Sequence, residues 1–159
     1  MHTPTNLSEK KTLWIIVSML CLLPIGGMGV DLISPSLPAI ANELNVPSSV
    51  AKNTISIYLL GYALGSFVIG FLADAWGRQT LLRSSLILFF IVSMVPVWFP
   101  NVEILLLSRL LQGVALGSLA ILARTIFSDV LPPEKLVRLG VLMGTMWGVG
   151  PIIGPIIGG

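Results

Sequence analysis

Two ionisable side chains lie in stretches that are otherwise apolar. Asp31 sits in "GVDLISPSLPAIANEL" and Arg109 in "LLLSRLLQGVALGS". A charged group at bilayer depth costs roughly 2.5 kcal/mol or more unless it is paired or faces water, so such groups are read first as functional. A carboxylate in a wet cavity can take up and release a proton as its surroundings change. A guanidinium stays charged and serves as the fixed counterion. Gln112 lies one turn beyond Arg109 on the same helical face, and Ser34 holds the same relation to Asp31. The chemistry on offer is charge pairing in a water-accessible chamber; the plainer alternative is an ion pair that only orders two helices. Bond-breaking catalysis is not expected. His2 is the single histidine, it lies in a polar tail, and no nucleophile and base are paired. The one cysteine, Cys21, falls in an apolar run, so neither a disulfide framework nor a metal or cofactor site is expected.

The elements that carry these residues must be membrane helices. Of 159 residues, 55% are hydrophobic and 10% charged, against about 25% charged in soluble domains. So large an apolar surplus cannot be hidden inside a globule of this size. The expected fold class is all-α, a polytopic membrane protein. A bilayer core needs about 20 mainly apolar helical residues. A cytoplasmic tail over 1–12 is followed by an incomplete transmembrane half over 13–159, with spans at about 13–36, 51–73, 81–99, 104–124 and 137–159. No window alternates apolar and polar residues as a membrane strand would. The first run is too long for a secretory signal core and has no A-x-A cleavage site.

Topology follows from the connecting segments. With the N-terminus cytoplasmic, the inner side receives Lys10, Lys11, Arg78, Arg83, Arg124, Lys135 and Arg138, and the outer side only Lys52. That asymmetry favours the N-terminus inside. It also accounts for a sequence pI near 9.0 without a nucleic-acid partner. Trp14, Trp76 and Trp98 fall near span ends, where amphipathic rings prefer to sit. On this topology span 1 runs outward and ends near Leu37, about six residues or ~9 Å past Asp31. Span 4 runs inward from Ile104, placing Arg109 about 8 Å below the same face. Two separate boundaries put the opposite charges at one depth.

Glycines four apart, Gly61 with Gly65, Gly113 with Gly117 and Gly140 with Gly144, are expected to let helices pack closely in lipid. On span 5, Met143, Met146, Trp147 and Gly150 fall at helical spacing. Flexible and broad side chains there, with Tyr58 and Tyr62 on span 2, would suit lipophilic substrates, or simply fill the space between helices and lipid.

The segment "GFLADAWGRQTLLR" resembles the signature loop of the major facilitator superfamily, G-x-L-a-D-r-x-G-r-[KR]. Gly70, Leu72, Ala73, Asp74, Gly77 and Arg78 match, while Ala75 and Gln79 replace basic residues. In that family the loop latches the two halves of the carrier together, so the resemblance implies a gating role. It also implies pairing of Arg78 with Asp129 on the next cytoplasmic loop. Arg109, Gln112 and Gly113 match the family's span-4 pattern R-x-x-q-G. The surroundings of Asp31 resemble the span-1 signature of its drug/proton antiporters, in which the acid and the arginine take part in proton coupling and substrate recognition. The ending "GVGPIIGPIIGG" resembles the antiporter span-5 pattern g-x-x-x-G-P-x-x-G-G at Gly150, Gly154, Pro155, Gly158 and Gly159. Pro151 and Pro155 remove backbone donors and bend a helix that the glycines make smooth.

The resemblance implies a proton-coupled exporter of drugs or other small lipophilic molecules in the bacterial inner membrane. Its partners would be the bilayer, a small-molecule substrate and protons, with no cofactor. The family is built of twelve spans in two halves around a midplane site, so five spans are expected to be the N-terminal portion of a carrier whose C-terminal half is missing here. Two alternatives stay open: a carrier for a physiological solute such as a sugar or amino acid, and a small non-transporting membrane assembly or regulatory protein.

Overall fold

The computed structural model describes residues 33–158, together with Val17, Gly29 and Val30. Asp31, Gly159 and most of the first expected span lie outside the described residues, as do the side chains of Asp74, Met146, Trp147 and Pro155. Among the described residues five helices follow one another: α1 (Leu37–Glu43), α2 (Ser48–Trp76), α3 (Arg78–Trp98), α4 (Val102–Val130) and α5 (Pro133–Gly158). No strand occurs among the described residues.

The breaks between helices have local causes. Pro38 opens the first turn of α1, where its missing N–H costs nothing. Asn45 closes that helix with a φ of 57°, a left-handed conformation that its short polar side chain tolerates. Pro47 precedes α2, and its carbonyl accepts from the Val50 and Ala51 amides. Between α2 and α3 stands one residue, Gly77, at φ 81° and ψ 136°. A side chain is strained there, and glycine permits the reversal. Asn101 caps α4, its side-chain oxygen accepting from the Glu103 amide at 2.8 Å, and Glu103 adds a favourable charge to that helix start. Leu131 and Pro132 separate α4 from α5, which opens at Pro133.

Each long helix runs past the charge-free stretch it contains. Lys52, Arg78, Arg83, Glu103, Arg124 and Asp129 are helical residues, because charge marks the edge of the lipid and not the end of the hydrogen-bonded ladder. Ser48–Ala73, Arg78–Trp98 and Val102–Asp129 are each long and apolar enough to cross a bilayer. With this all-helical architecture the chain is a multi-pass membrane protein.

α4 is the centre of the packing. Its Leu122 is fully buried, clustered with Ile69 and Ala73 of α2 and Leu81 of α3. Leu116 and Leu119 pack with Tyr58, against Leu82, Leu86 and Phe89 of α3. Farther along, Ala123, Phe127 and Leu131 meet Leu136, Leu139 and Met143 of α5. The opposite faces stay exposed, including Leu60, Phe67, Phe71, Phe90 and Trp98. Such surfaces need lipid or another apolar partner.

Close approach of α2 and α4 depends on glycine. A Cβ on Gly61 would fall well inside contact distance of the Leu110 carbonyl, and one on Gly65 would do so at Val114. The relation is reciprocal, for Gly113 meets the Tyr58 carbonyl and Gly117 that of Tyr62. Hydroxyls fasten the same seam: Ser66 donates to the Gly117 carbonyl at 3.3 Å, and Ser118 reaches the Gly65 carbonyl at 3.4 Å. Gly140 and Gly144 differ, because a Cβ at either position has open space within 4 Å.

Candidate functional site

Arg109 projects from the second turn of α4 and is largely covered. One of its terminal nitrogens, Nη1, donates to the Gly29 carbonyl at 3.4 Å. Its Nε is buried with no hydrogen-bond partner among the described residues. The guanidinium is thus held against the N-terminal segment two residues before Asp31. Asp31 itself lies outside the described residues.

Tyr58 completes this group from α2. Its ring is 2% exposed and lies so close to Gly29 that a Cβ there would stand 2.7 Å from the phenol oxygen. Gly29 therefore serves two purposes, leaving room for the aromatic ring and offering a carbonyl to the arginine. The close approach of α2 and α4 sets the spacing of Tyr58 and Arg109, since the Tyr58 carbonyl rests on Gly113, one turn beyond Arg109.

Gln112 faces elsewhere. Its amide donates to Ser93 Oγ at 3.0 Å, and Ser93 donates in turn to the Phe89 carbonyl at 2.7 Å. The two-link chain ties α4 to α3 just before Pro96, so Gln112 steadies the helix that carries Arg109. Nothing about Ser93 in the sequence marks it as that partner.

A cavity of about 540 Å³ opens at this end of the molecule, with Arg109 in its wall. Ile40 and Glu43 of α1, Pro96 and Val97 of α3, and Asn101 at the α4 cap also line it. The described lining mixes apolar side chains with Ser36, Glu43, Asn101 and Arg109, a composition suited to a small amphipathic guest.

At the other end of the helices Arg78 and Asp129 form an ion pair between the start of α3 and the end of α4. Gly77 places Arg78 by reversing the chain immediately before it. Gly70, the other glycine of that signature segment, lies within α2, where a Cβ would meet nothing within 4 Å, and nothing in the structure explains a need for glycine there. Gly150, Gly154 and Gly158 lie within α5, which continues unbroken to Gly158; Gly159 and the Pro155 side chain lie outside the description.

The family model of the Major Facilitator Superfamily matches residues 19–159. The chain is 30% identical over all 159 residues to the uncharacterized MFS-type transporter YdgK of Bacillus subtilis (strain 168), covering 39% of that relative. It is 23% identical over 153 residues to multidrug resistance protein D of Escherichia coli (strain K12), covering 96% of this chain and 39% of the relative. Chloramphenicol resistance protein CraA of Acinetobacter baumannii (strain ATCC 19606) is 28% identical over 131 residues, 82% of this chain and 32% of the relative. The chain spans about two fifths or less of the length of these relatives.

Proposed function

Because this chain belongs to the major facilitator superfamily, we propose that it acts within a secondary active transporter exporting drugs or other small lipophilic molecules in exchange for protons. The observation that carries this reading is Arg109: a guanidinium in an apolar helix, bonded to the Gly29 carbonyl, beside buried Tyr58, in the wall of a cavity. A fixed positive charge in a partly dry chamber favours a carboxylate nearby, and Asp31 is the acid that the sequence brings closest to Gly29. Protonation of Asp31 would weaken its hold on Arg109 and change which groups face the substrate. Exchange of proton for substrate then follows from competition for one site. Two relatives are named for drug resistance, which supports export of drug-like molecules.

The remaining assignments follow from that scheme. The membrane is the bacterial inner membrane, with the N-terminus cytoplasmic by the distribution of Lys and Arg. Tyr58 and Gln112 position Arg109, while Met146 and Trp147 on α5 contribute apolar contact to the substrate. The loop of Gly70, Asp74, Gly77 and Arg78 is a gate that Asp129 holds through the ion pair. Gly150, Gly154, Pro155, Gly158 and Gly159 shape α5 for close packing that limits proton leak.

The test uses everted membrane vesicles energised by respiration, with a fluorescent reporter of internal acidity. Adding ethidium or chloramphenicol should discharge the pH gradient, and neither Asp31→Asn nor Arg109→Gln should allow that discharge. Drug-driven proton release that survives Asp31→Asn in a normally inserted protein would remove the acid from coupling. Discharge by a sugar or amino acid, and not by either drug, would replace the drug reading with carriage of a physiological solute.

A further inference from the structure

A second cavity, of about 640 Å³, lies toward the opposite end of the molecule, between α2, α4 and the first half of α5. It arises because the seam of glycines ends. Gly113, Gly117, Ala120 and Arg124 share one face of α4 at spacings of four, three and four. The first two touch α2, whereas Ala120 and Arg124 line the opening where α5 stands away. The volume falls within the roughly 300–1,000 Å³ of small-molecule sites.

The lining has a definite chemistry. Phe127, Leu136, Leu139 and Met143 form an apolar wall, and Tyr62 and Ser66 add hydroxyl groups. Among the described residues of the lining Arg124 is the one charged side chain, and no Asp or Glu accompanies it. No described carboxylate forms an ion pair with Arg124; Asp129, at the end of the same helix, is paired with Arg78. A cationic guest would meet like charge here, whereas an anion would find a donor able to bind it in two-pronged fashion.

We propose that this cavity binds an amphipathic anion, its acidic group against Arg124 and its body against Phe127, Leu139 and Met143. The proposal rests on the carrier reading above and gives that carrier a second binding region, for molecules with a negative or strongly accepting end. The same chemistry could be met by a soluble organic acid or by the headgroup of an anionic phospholipid.

Gly140 supplies a clean way to close the cavity. It lines the space, and a Cβ there meets nothing within 4 Å. Gly140→Leu therefore fills the site without a backbone clash. The experiment measures binding of radiolabelled 2-naphthoate to the purified protein in phosphatidylcholine nanodiscs, with tetraphenylphosphonium as the cationic comparison. Arg124→Gln should weaken naphthoate binding by about tenfold or more, as expected for a lost hydrogen-bonded charge partner. Arg124→Lys, which keeps the charge and loses the planar fork, should fall between wild type and Arg124→Gln, and Gly140→Leu should abolish binding. Nanodiscs containing phosphatidylglycerol separate the sources: undiminished binding supports a soluble anion, and displacement supports the lipid headgroup. Equal naphthoate binding in wild type and Arg124→Gln, or tighter binding of the phosphonium, overturns the proposal. Either outcome leaves vesicle transport intact, so it is distinguishable from failure of the carrier reading.

Discussion

A guanidinium and an ammonium carry the same charge, yet Arg109 should not be replaceable by lysine. Arg109 reaches the Gly29 carbonyl through Nη1 while its Nε is buried, leaving the remaining donors of the planar fork for other partners. Lysine offers a compact point charge without that fork. Arg109→Lys should leave expression unchanged and reduce drug-driven proton release in vesicles at least tenfold; full activity would show that charge alone suffices. The Arg78–Asp129 pair belongs to another regime. Its side chains are 27% and 37% exposed, and partly exposed pairs contribute about 0–1 kcal/mol. Arg78→Asp or Asp129→Arg should therefore shift thermal stability little while impairing transport. The combined exchange should restore transport, and a double variant no better than either single change would remove the pair from gating. Arg109 was conspicuous in the sequence because one charge interrupts a long apolar run. The Gln112–Ser93 bond was not, because serines within membrane helices commonly bond their own backbone, and only the facing of α3 and α4 selects Ser93.

At the level of elements, the glycines divide into those that carry backbone contact and those that do not. Gly61, Gly65, Gly113 and Gly117 press against carbonyl groups that cannot retreat without separating α2 from α4. Gly65→Leu or Gly113→Leu should cause loss of folded protein from detergent extracts. Gly144→Ala has open space and exchanges a poor helix former for the best one, so it should be neutral or stabilising by up to about 1 kcal/mol. Thermal unfolding of the three variants checks the division. The two glycines of the signature segment separate in the same way. Gly77 holds φ 81°, so Gly77→Ala should cost about 1–3 kcal/mol, whereas Gly70→Ala, within α2 and with open space, should be neutral or stabilising by up to about 1 kcal/mol. Equal shifts in melting temperature would contradict the strain argument. The four-residue spacing of small residues was visible along the chain for spans 2, 4 and 5 alike. Only the packing shows that α2 and α4 use it against each other while Gly140 and Gly144 of α5 face open space.

For the whole molecule, the distribution of basic residues makes a statement about sidedness that labelling can check. In a Cys21→Ala background, cysteine at position 52 should react with a membrane-impermeant thiol reagent in intact cells. Cysteine at position 138 should react only after the membrane is opened. The reverse pattern would invert the topology. Membrane residence and helical class follow from composition alone, because an excess of apolar side chains without alternation has no other stable solution in lipid. The intramembrane position of Arg109 and the need for a small residue at the reversal were likewise written in the order of residues. Tertiary structure decided the rest. It sets Tyr58 against Gly29, turns Gln112 toward Ser93, joins Arg78 to Asp129, and places Arg124 in a cavity with no acid among its described lining residues. Those relations depend on how far apart the helix axes lie and which way each helix is rotated. A one-dimensional pattern specifies a face through its period, but the neighbour that face meets is chosen only when backbones pack.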